Sequence, residues 1–187
     1  MRGDRDLRAQ AALAVAYALG DVRGERLGLE RLAEDGFDSD EVERILELVP
    51  VATHNQRGIG TLHVGCPEGC DAQIEAATLL HIVESSMSSE IYELMKRSDE
   101  AEVVEKAHRR PRFVEDCVRE MIRMAVDEFE RLGHDVFLSA RQRNLETIHQ
   151  HDVVAERHGL LGDLMREAAG EDVQARQVTV RDWLERT

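Results

Sequence analysis

Four short polar clusters hold the side chains of this sequence that could do chemistry. They are Thr53-His54-Asn55-Gln56-Arg57-Gly58, Lys96-Arg97-Ser98-Asp99-Glu100, Pro111-Arg112-Phe113-Val114-Glu115-Asp116 and Glu146-Thr147-Ile148-His149-Gln150-His151-Asp152. Each falls at or near the end of a predicted element, where active-site groups gather. Each also has a plainer explanation. His54 in a polar loop can be simply solvated, and Glu100 and Glu115 near helix starts suit the helix macrodipole without further purpose. His149 and His151, two apart on a predicted strand, share a face that is either wet or metal-binding. Lys96, Arg97, Arg109, Arg110 and Arg112 can be an ordinary charged surface. Taken singly, no cluster identifies a function.

The cysteines add little. Cys66 and Cys70 bracket the turn-like Cys66-Pro67-Glu68-Gly69-Cys70, and Cys117 falls on an apolar helical stripe. A lone C-x3-C with no second pair is weak evidence for zinc. Three cysteines do not make a disulfide framework.

The elements that must position these clusters follow from the apolar pattern. The spacing predicts helices over 4–19, 30–35 and 40–49, with Ser39 capping the last and Pro50 stopping it. From Gly58 the pattern alternates, with Gly60, Leu62 and Val64 on one strand face and Ile59, Thr61 and His63 on the other. A long helix is predicted from about Ala72 to Lys96, then a short one capped by Ser98. Pro111 at a first helical position opens the next helix, which buries Phe113, Cys117, Met121, Ala125 and Leu132 and closes at Gly133. Val136, Leu138 and Ala140 alternate, as do Thr147, His149, His151 and Val153, so two strands are expected around a turn near Asn144. A helix over 159–168 and a short one near Asp182 complete the chain. A strand, then helices, then two strands imply an α+β domain, with helices on one face of an antiparallel sheet.

At 187 residues the chain can bury one good core. A net charge of −14 argues against nucleic acid as main partner. No apolar run reaches the roughly 18 residues of a membrane span. Without a secretory signal at its start, the expected location is cytoplasmic. The cations are almost all Arg, Lys96 and Lys106 being the only lysines. A salt-rich cytoplasm or a GC-rich genome would each account for that.

In combination the clusters say more. Val49-Pro50-Val51-Ala52-Thr53-His54-Asn55-Gln56-Arg57-Gly58, Ile82-Val83-Glu84-Ser85-Ser86-Met87-Ser88 and Tyr92-Glu93-Leu94-Met95-Lys96-Arg97-Ser98-Asp99-Glu100 occur in order. They are followed by Val103-Val104-Glu105-Lys106-Ala107-His108, Pro111-Arg112-Phe113-Val114-Glu115-Asp116 and Ile148-His149-Gln150-His151. From about Asp38 to Arg157 the chain closely resembles the GTP cyclohydrolase IB family, including its archaeal MptA-type branch. The resemblance implies a tunnelling fold over 38–170, flanked by a helical segment over 1–37 and a tail over 171–187. It implies self-association into a dimer or tetramer, with active sites at interfaces. It makes His54 and Glu100 metal ligands, Glu115 the guanine-binding carboxylate and His149 the catalytic histidine. Arg57, Lys96, Arg97, Arg112 and His151 become candidates for binding the rest of GTP. The metal would be Fe(II), with Zn or Mn as alternatives.

The implied reaction opens the imidazole ring of GTP and releases formate, giving dihydroneopterin 2′,3′-cyclic phosphate or the triphosphate for pterin cofactors. The residue types suit it. A divalent ion activates water for attack at C8, an imidazole relays protons, and a carboxylate accepts guanine's N1–H and 2-amino protons together, which would reject adenine. One departure stands out. Members of the family carry a Cys-Pro-Cys motif upstream of the His-Asn-Gln-Arg segment and a further N-terminal half, whereas residues 1–49 contain no cysteine. The chain is therefore expected to be truncated, wrongly started or divergent. The rival reading, from another class, is an inactive assembly module that keeps the fold; a third is a relative acting on another purine or pterin.

Overall fold

The computed structural model describes residues 34–48, 56–70, 72–171 and 178–185. The helix expected over 4–19, and most of that over 30–35, lie outside them. The chain divides into two compact units, Met1–Asn55 with Ile91–Arg110, and Gln56–Glu90 with Pro111–Thr187.

In the first unit, helix α1 spans Ser39–Leu48. Its cap is Asp38 rather than Ser39: Asp38 Oδ1 accepts from Glu41 N at 2.8 Å, and Glu41 Oε2 accepts from Asp38 N at 3.2 Å. That reciprocal pair satisfies two backbone donors that a helix start leaves open.

The second unit holds the sheet. Strand β1 is Arg57–Gly65 and helix α2 is Ala76–Ser85. In chain order, α3, Arg97–Arg109, follows and belongs to the first unit. Helix α4, Val114–Phe129, then leads through a 3-10 turn, Glu130–Leu132, into β2, Phe137–Leu145, and β3, Val153–Leu160. Helices α5, Leu161–Ala168, and α6, Val180–Leu184, complete the described chain. The three strands form one antiparallel sheet in the order β1-β2-β3, with Arg57 opposite Leu145 and Gly65 opposite Phe137. The α+β class with an antiparallel sheet is as expected.

Alternation sets the two faces. Met121 and Ala125 of α4 pack with Val136, Leu138, Ala140 and Leu161 in a core where all six are fully buried. Leu62 and Val64 of β1, and Val83 of α2, pack onto it. The two glycines of β1 on that face allow the close approach. A methyl group at Gly60 would sit 2.6 Å from Val83 Cγ1, and one at Gly58 only 2.4 Å from Gln142 Nε2. On the opposite face, Trp183 of α6 covers Gly65 and Phe137, its ring centroid 5.8 Å from that of Phe137. Helices are therefore not confined to one face: the short C-terminal helix takes the other.

Three boundaries differ from the sequence reading. The long helix stops at Ser85, and Ile91 and Leu94, within the predicted helix, are exposed beyond its end. Ser86 is fully buried and its Oγ donates to Ile82 O at 2.7 Å, a local bond that competes with continuation of the helix. Its own carbonyl is taken by Arg112 Nη1 at 2.8 Å, where a longer helix would need it for a backbone N–H. Helix α4 begins at Val114 with Phe113 as its cap, so Pro111 precedes the helix and Phe113 is 78% exposed. Finally, β2 runs on through Asn144, and residues 146–152 make the connection to β3. Thr147, His149 and His151 are thus in a loop, not a strand. Asn144 stays on the ladder between Gly58 and Val153, and its side-chain oxygen accepts from Gln142 Nε2 at 2.9 Å.

The close packing at Gly60 is testable by urea unfolding. Gly60→Ala should cost about 1–3 kcal/mol through overpacking. Gly159→Ala, whose methyl group would meet Leu164 at an ordinary 3.6 Å, should change stability by no more than about 0.5 kcal/mol. Equal effects would mean that the glycine is not what admits the helices.

Candidate functional site

Helix α4 and β2 run in opposite directions, joined by a short connection, so the start of α4 lies at the same end of the layer as the close of β2. The start of β1 is there too, since Arg57 pairs with Leu145. Contacts agree: methyl groups built at Gly58 would meet Met87 Cε at 3.0 Å and Asn144 Oδ1 at 3.2 Å, and Arg112 reaches Ser86. Of the sequence candidates, Arg57, Arg112, Glu115, His149 and His151 therefore belong to one end of the second unit.

Two carboxylates stand at the start of α4, and they divide the work. Asp116 Oδ2 accepts the Phe113 N–H at 3.1 Å, and its Oδ1 accepts from Arg119 Nη1 at 2.6 Å. Asp116 thereby satisfies the helix start. Glu115, one residue earlier, is exposed and takes no hydrogen bond or ion pair from the described residues. Its negative charge is favoured at a helix N-terminus, yet no local contact uses it. The start of α3 in the first unit repeats the device: Asp99 Oδ2 accepts from Lys96 N at 2.9 Å, leaving the exposed Glu100 without a described partner. Lys96 and Arg97 of that unit are exposed as well.

Arg112 and Glu115 line a groove of about 970 Å³. Its apolar floor is Val118, Ile122, Val126, Ala155 and Leu164. Most cations on its rim are already engaged. Arg119 pairs with Asp116, Arg123 with Glu120 and Asp127, and Arg157 with Glu167. Arg112 spends one guanidinium nitrogen on the Ser86 carbonyl, closing the C-terminus of α2, where a cation is well placed.

The loop over 146–152 holds His149 and His151 side by side, their rings stacked with centroids 5.5 Å apart. Both are exposed. Arg143 and Asp152 clamp the base of the loop through two hydrogen bonds, at 2.8 and 2.5 Å. The expected adjacency of the two imidazoles is present, but a loop supplies it and not the two-residue repeat of a strand.

Sequence reasoning passed over Gln142. It is 2% exposed on the core face of β2, with Nε2 given to Asn144 and Oε1 without a partner among the described residues. The signal was there: Val136, Leu138, Ala140 and Gln142 all point inward, and a polar residue at an inward position of such a row implies a task beyond packing.

His54 lies outside the described residues. Among the described residues, no three His, Cys, Asp or Glu side chains converge as a metal site. Glu100 is one carboxylate donor, and the histidine expected to share a metal with it lies outside the described residues.

Comparison with known proteins gives the following. The family described as type I GTP cyclohydrolase folE2 matches residues 20–155. A protein named GTP cyclohydrolase MptA from Methanococcus aeolicus is 49% identical over 139 residues, 74% of this chain and 44% of that protein. Its namesake in Methanococcus maripaludis strain C5 is 52% identical over 136 residues, covering 73% and 42%. That of Methanocaldococcus jannaschii is 46% identical over 139 residues, covering 74% and 44%. The chain thus spans less than half the length of these relatives.

The division between the two carboxylates of α4 predicts different stabilities. Asp116→Ala should destabilise the chain by about 1 kcal/mol through loss of the cap. Glu115→Ala should stay within about 0.5 kcal/mol of the parent. Thermal unfolding that gave Glu115→Ala the larger loss would show that Glu115 is a structural carboxylate.

Proposed function

We propose that this chain, which belongs to the type I GTP cyclohydrolase folE2 family, supplies the guanine-binding and proton-handling groups of an enzyme that opens the imidazole ring of GTP. The observation that carries this reading is Glu115: a carboxylate at a helix start, beside Arg112 in a groove, with its capping duty taken by Asp116. Its two oxygens would accept the N1–H and 2-amino protons of guanine. Adenine presents an acceptor at N1 and would face it without a donor. The names of the relatives support the same substrate.

His149 is the proposed proton carrier. An imidazole can accept a proton from a first water adding at C8 and return one to a ring nitrogen as one C8–N bond breaks to leave a formamide. A second water then cleaves the remaining C8–N bond, and formate leaves. His151, stacked against it, would hold its orientation and contact substrate. Arg57 and Arg112, with Lys96 and Arg97, are proposed for the triphosphate. The product would be 7,8-dihydroneopterin 2′,3′-cyclic phosphate or the triphosphate, for pterin cofactor synthesis.

His54 and Glu100 are the proposed protein donors for Fe(II), or for Zn or Mn, together with donors from beyond the described residues. A bound divalent ion supplies water that ionises near neutral pH. The tunnelling fold and assembly into a dimer or tetramer complete the proposal. Among the described residues β1 and β3 are the two sheet edges, and exposed edges favour pairing between chains. No helix among the described residues is long and apolar enough to cross a membrane, and a cytoplasmic setting is proposed.

Two measurements test this. Glu115→Gln replaces one acceptor oxygen with a donor opposed to guanine and should cost about 2–5 kcal/mol of GTP binding, with formate release falling in step. Glu105→Ala should alter neither. Parental GTP affinity and parental formate release in Glu115→Gln would place guanine elsewhere. For assembly, light scattering at micromolar concentration should give at least twice the chain mass, and a stable monomer would refute it.

A further inference from the structure

Cys66 and Cys70 are not used by the proposed reaction. Cys66 directly follows Gly65, the last residue of β1. Cys70 N donates to Pro67 O at 3.1 Å, and Gly69, the third residue of that turn, has φ of +86°. A positive φ at this position defines a type II turn, which glycine adopts without strain. The reversal folds Cys70 back toward Cys66, and the neighbouring Cys70 thiol is one of the groups that raise the Cys66 pKa. Both are free and half-buried, whereas Cys117 is buried in α4.

We propose that Cys66 and Cys70 form a reversible dithiol–disulfide couple that fastens the turn at the end of β1. Sulfurs four positions apart across a closed turn meet far more often than either meets another molecule's thiol. Cys66 also packs against the main core. Burial, and then the neighbouring Cys70 thiol, push its pKa up, which disfavours it as the first attacker and leaves it the resolving thiol, acting once deprotonated. The oxidant is a low-molecular-weight disulfide. The Cys70 sulfur attacks it, forming a mixed disulfide and releasing one thiolate, which takes the Cys70 proton. The Cys66 sulfur then attacks Sγ of Cys70, the Sγ–Sγ bond forms, and the second thiolate leaves with the Cys66 proton. In total two protein thiols are oxidised and one small disulfide is reduced to two thiols.

The turn has a built-in reporter. Trp183 is the chain's single tryptophan, and its ring would lie 2.9 Å from a methyl group on Gly65, one residue before Cys66. Its indole Nε1 donates to Asp135 O at 2.8 Å, which fixes the ring there.

The experiment equilibrates the intact chain with mixtures of oxidised and reduced glutathione, quenches by alkylation, and reads intact mass, a peptide map and tryptophan fluorescence. The oxidised chain should lose two hydrogens, with residues 66 and 70 linked and Cys117 alkylated after denaturation. Trp183 emission should change with the same midpoint, and dithiothreitol should reverse both. Cys66→Ser and Cys70→Ser should each stop at one glutathione adduct on the remaining thiol. The wild-type data decide the matter even if a variant fails to fold. Two glutathione adducts, disulfide-linked dimers, or thiols still free in excess oxidised glutathione would each overturn the proposal.

Discussion

The arrangement of the second unit depends on bare backbone at Gly58 and Gly60. Side chains from three elements, Val83 on α2, Met121 on α4 and Gln142 on β2, come down onto this stretch of β1, and a single methyl group would obstruct each approach. Dense interiors tolerate little added volume. With the helices seated this close, Met87 reaches Gly58 and the end of α2 meets Arg112. Arg57, Arg112 and Glu115 therefore stand at an end of the layer fixed by packing behind it.

Electrostatics in this acidic chain follows a pattern of delegation. At two helix starts an aspartate closes the backbone and a nearby glutamate is left over. Most arginines around the groove are held by carboxylates. Exposed pairs of this kind contribute little to stability, about 0–1 kcal/mol each, yet they decide which charges remain for a ligand. Against a net charge of −14, a triphosphate needs its cations concentrated in one place. Arg112 illustrates the compromise, holding a helix C-terminus with one nitrogen while it lines the same groove as Glu115.

What the sequence disclosed was whatever periodicity and local chemistry determine. The inward rows of β1 and β2 and the buried stripe of α4 were readable because each residue's exposure follows from its spacing. The errors arose where a distant partner intervened. Nothing in residues 72–96 shows that Arg112 will take the Ser86 carbonyl, and without that the apolar spacing extends the helix too far. Asn144 reads as a turn residue until Gln142 binds its side chain. His149 and His151 alternate like a strand, but the Arg143–Asp152 clamp makes them a loop. Arg57, Arg112, Glu115, His149 and His151 were singled out through the shared order of their motifs; that they share one end of the sheet unit needed the register of β1 on β2. His54 falls outside the described residues, so the metal assignment rests where the sequence left it.

The register has one more consequence, for the order in which the chain acquires its structure. Strand β3 pairs with β2 across a short loop, and α4 is joined to β2 by a brief connection, so these three can meet while the rest is unformed. Strand β1 must instead find β2 across everything between Gly65 and Phe137. Distant pairings carry the larger loop-closure entropy and form slowly. The edge that carries Arg57 and Gly58 is then expected to dock late, after β2, β3 and α4 have met.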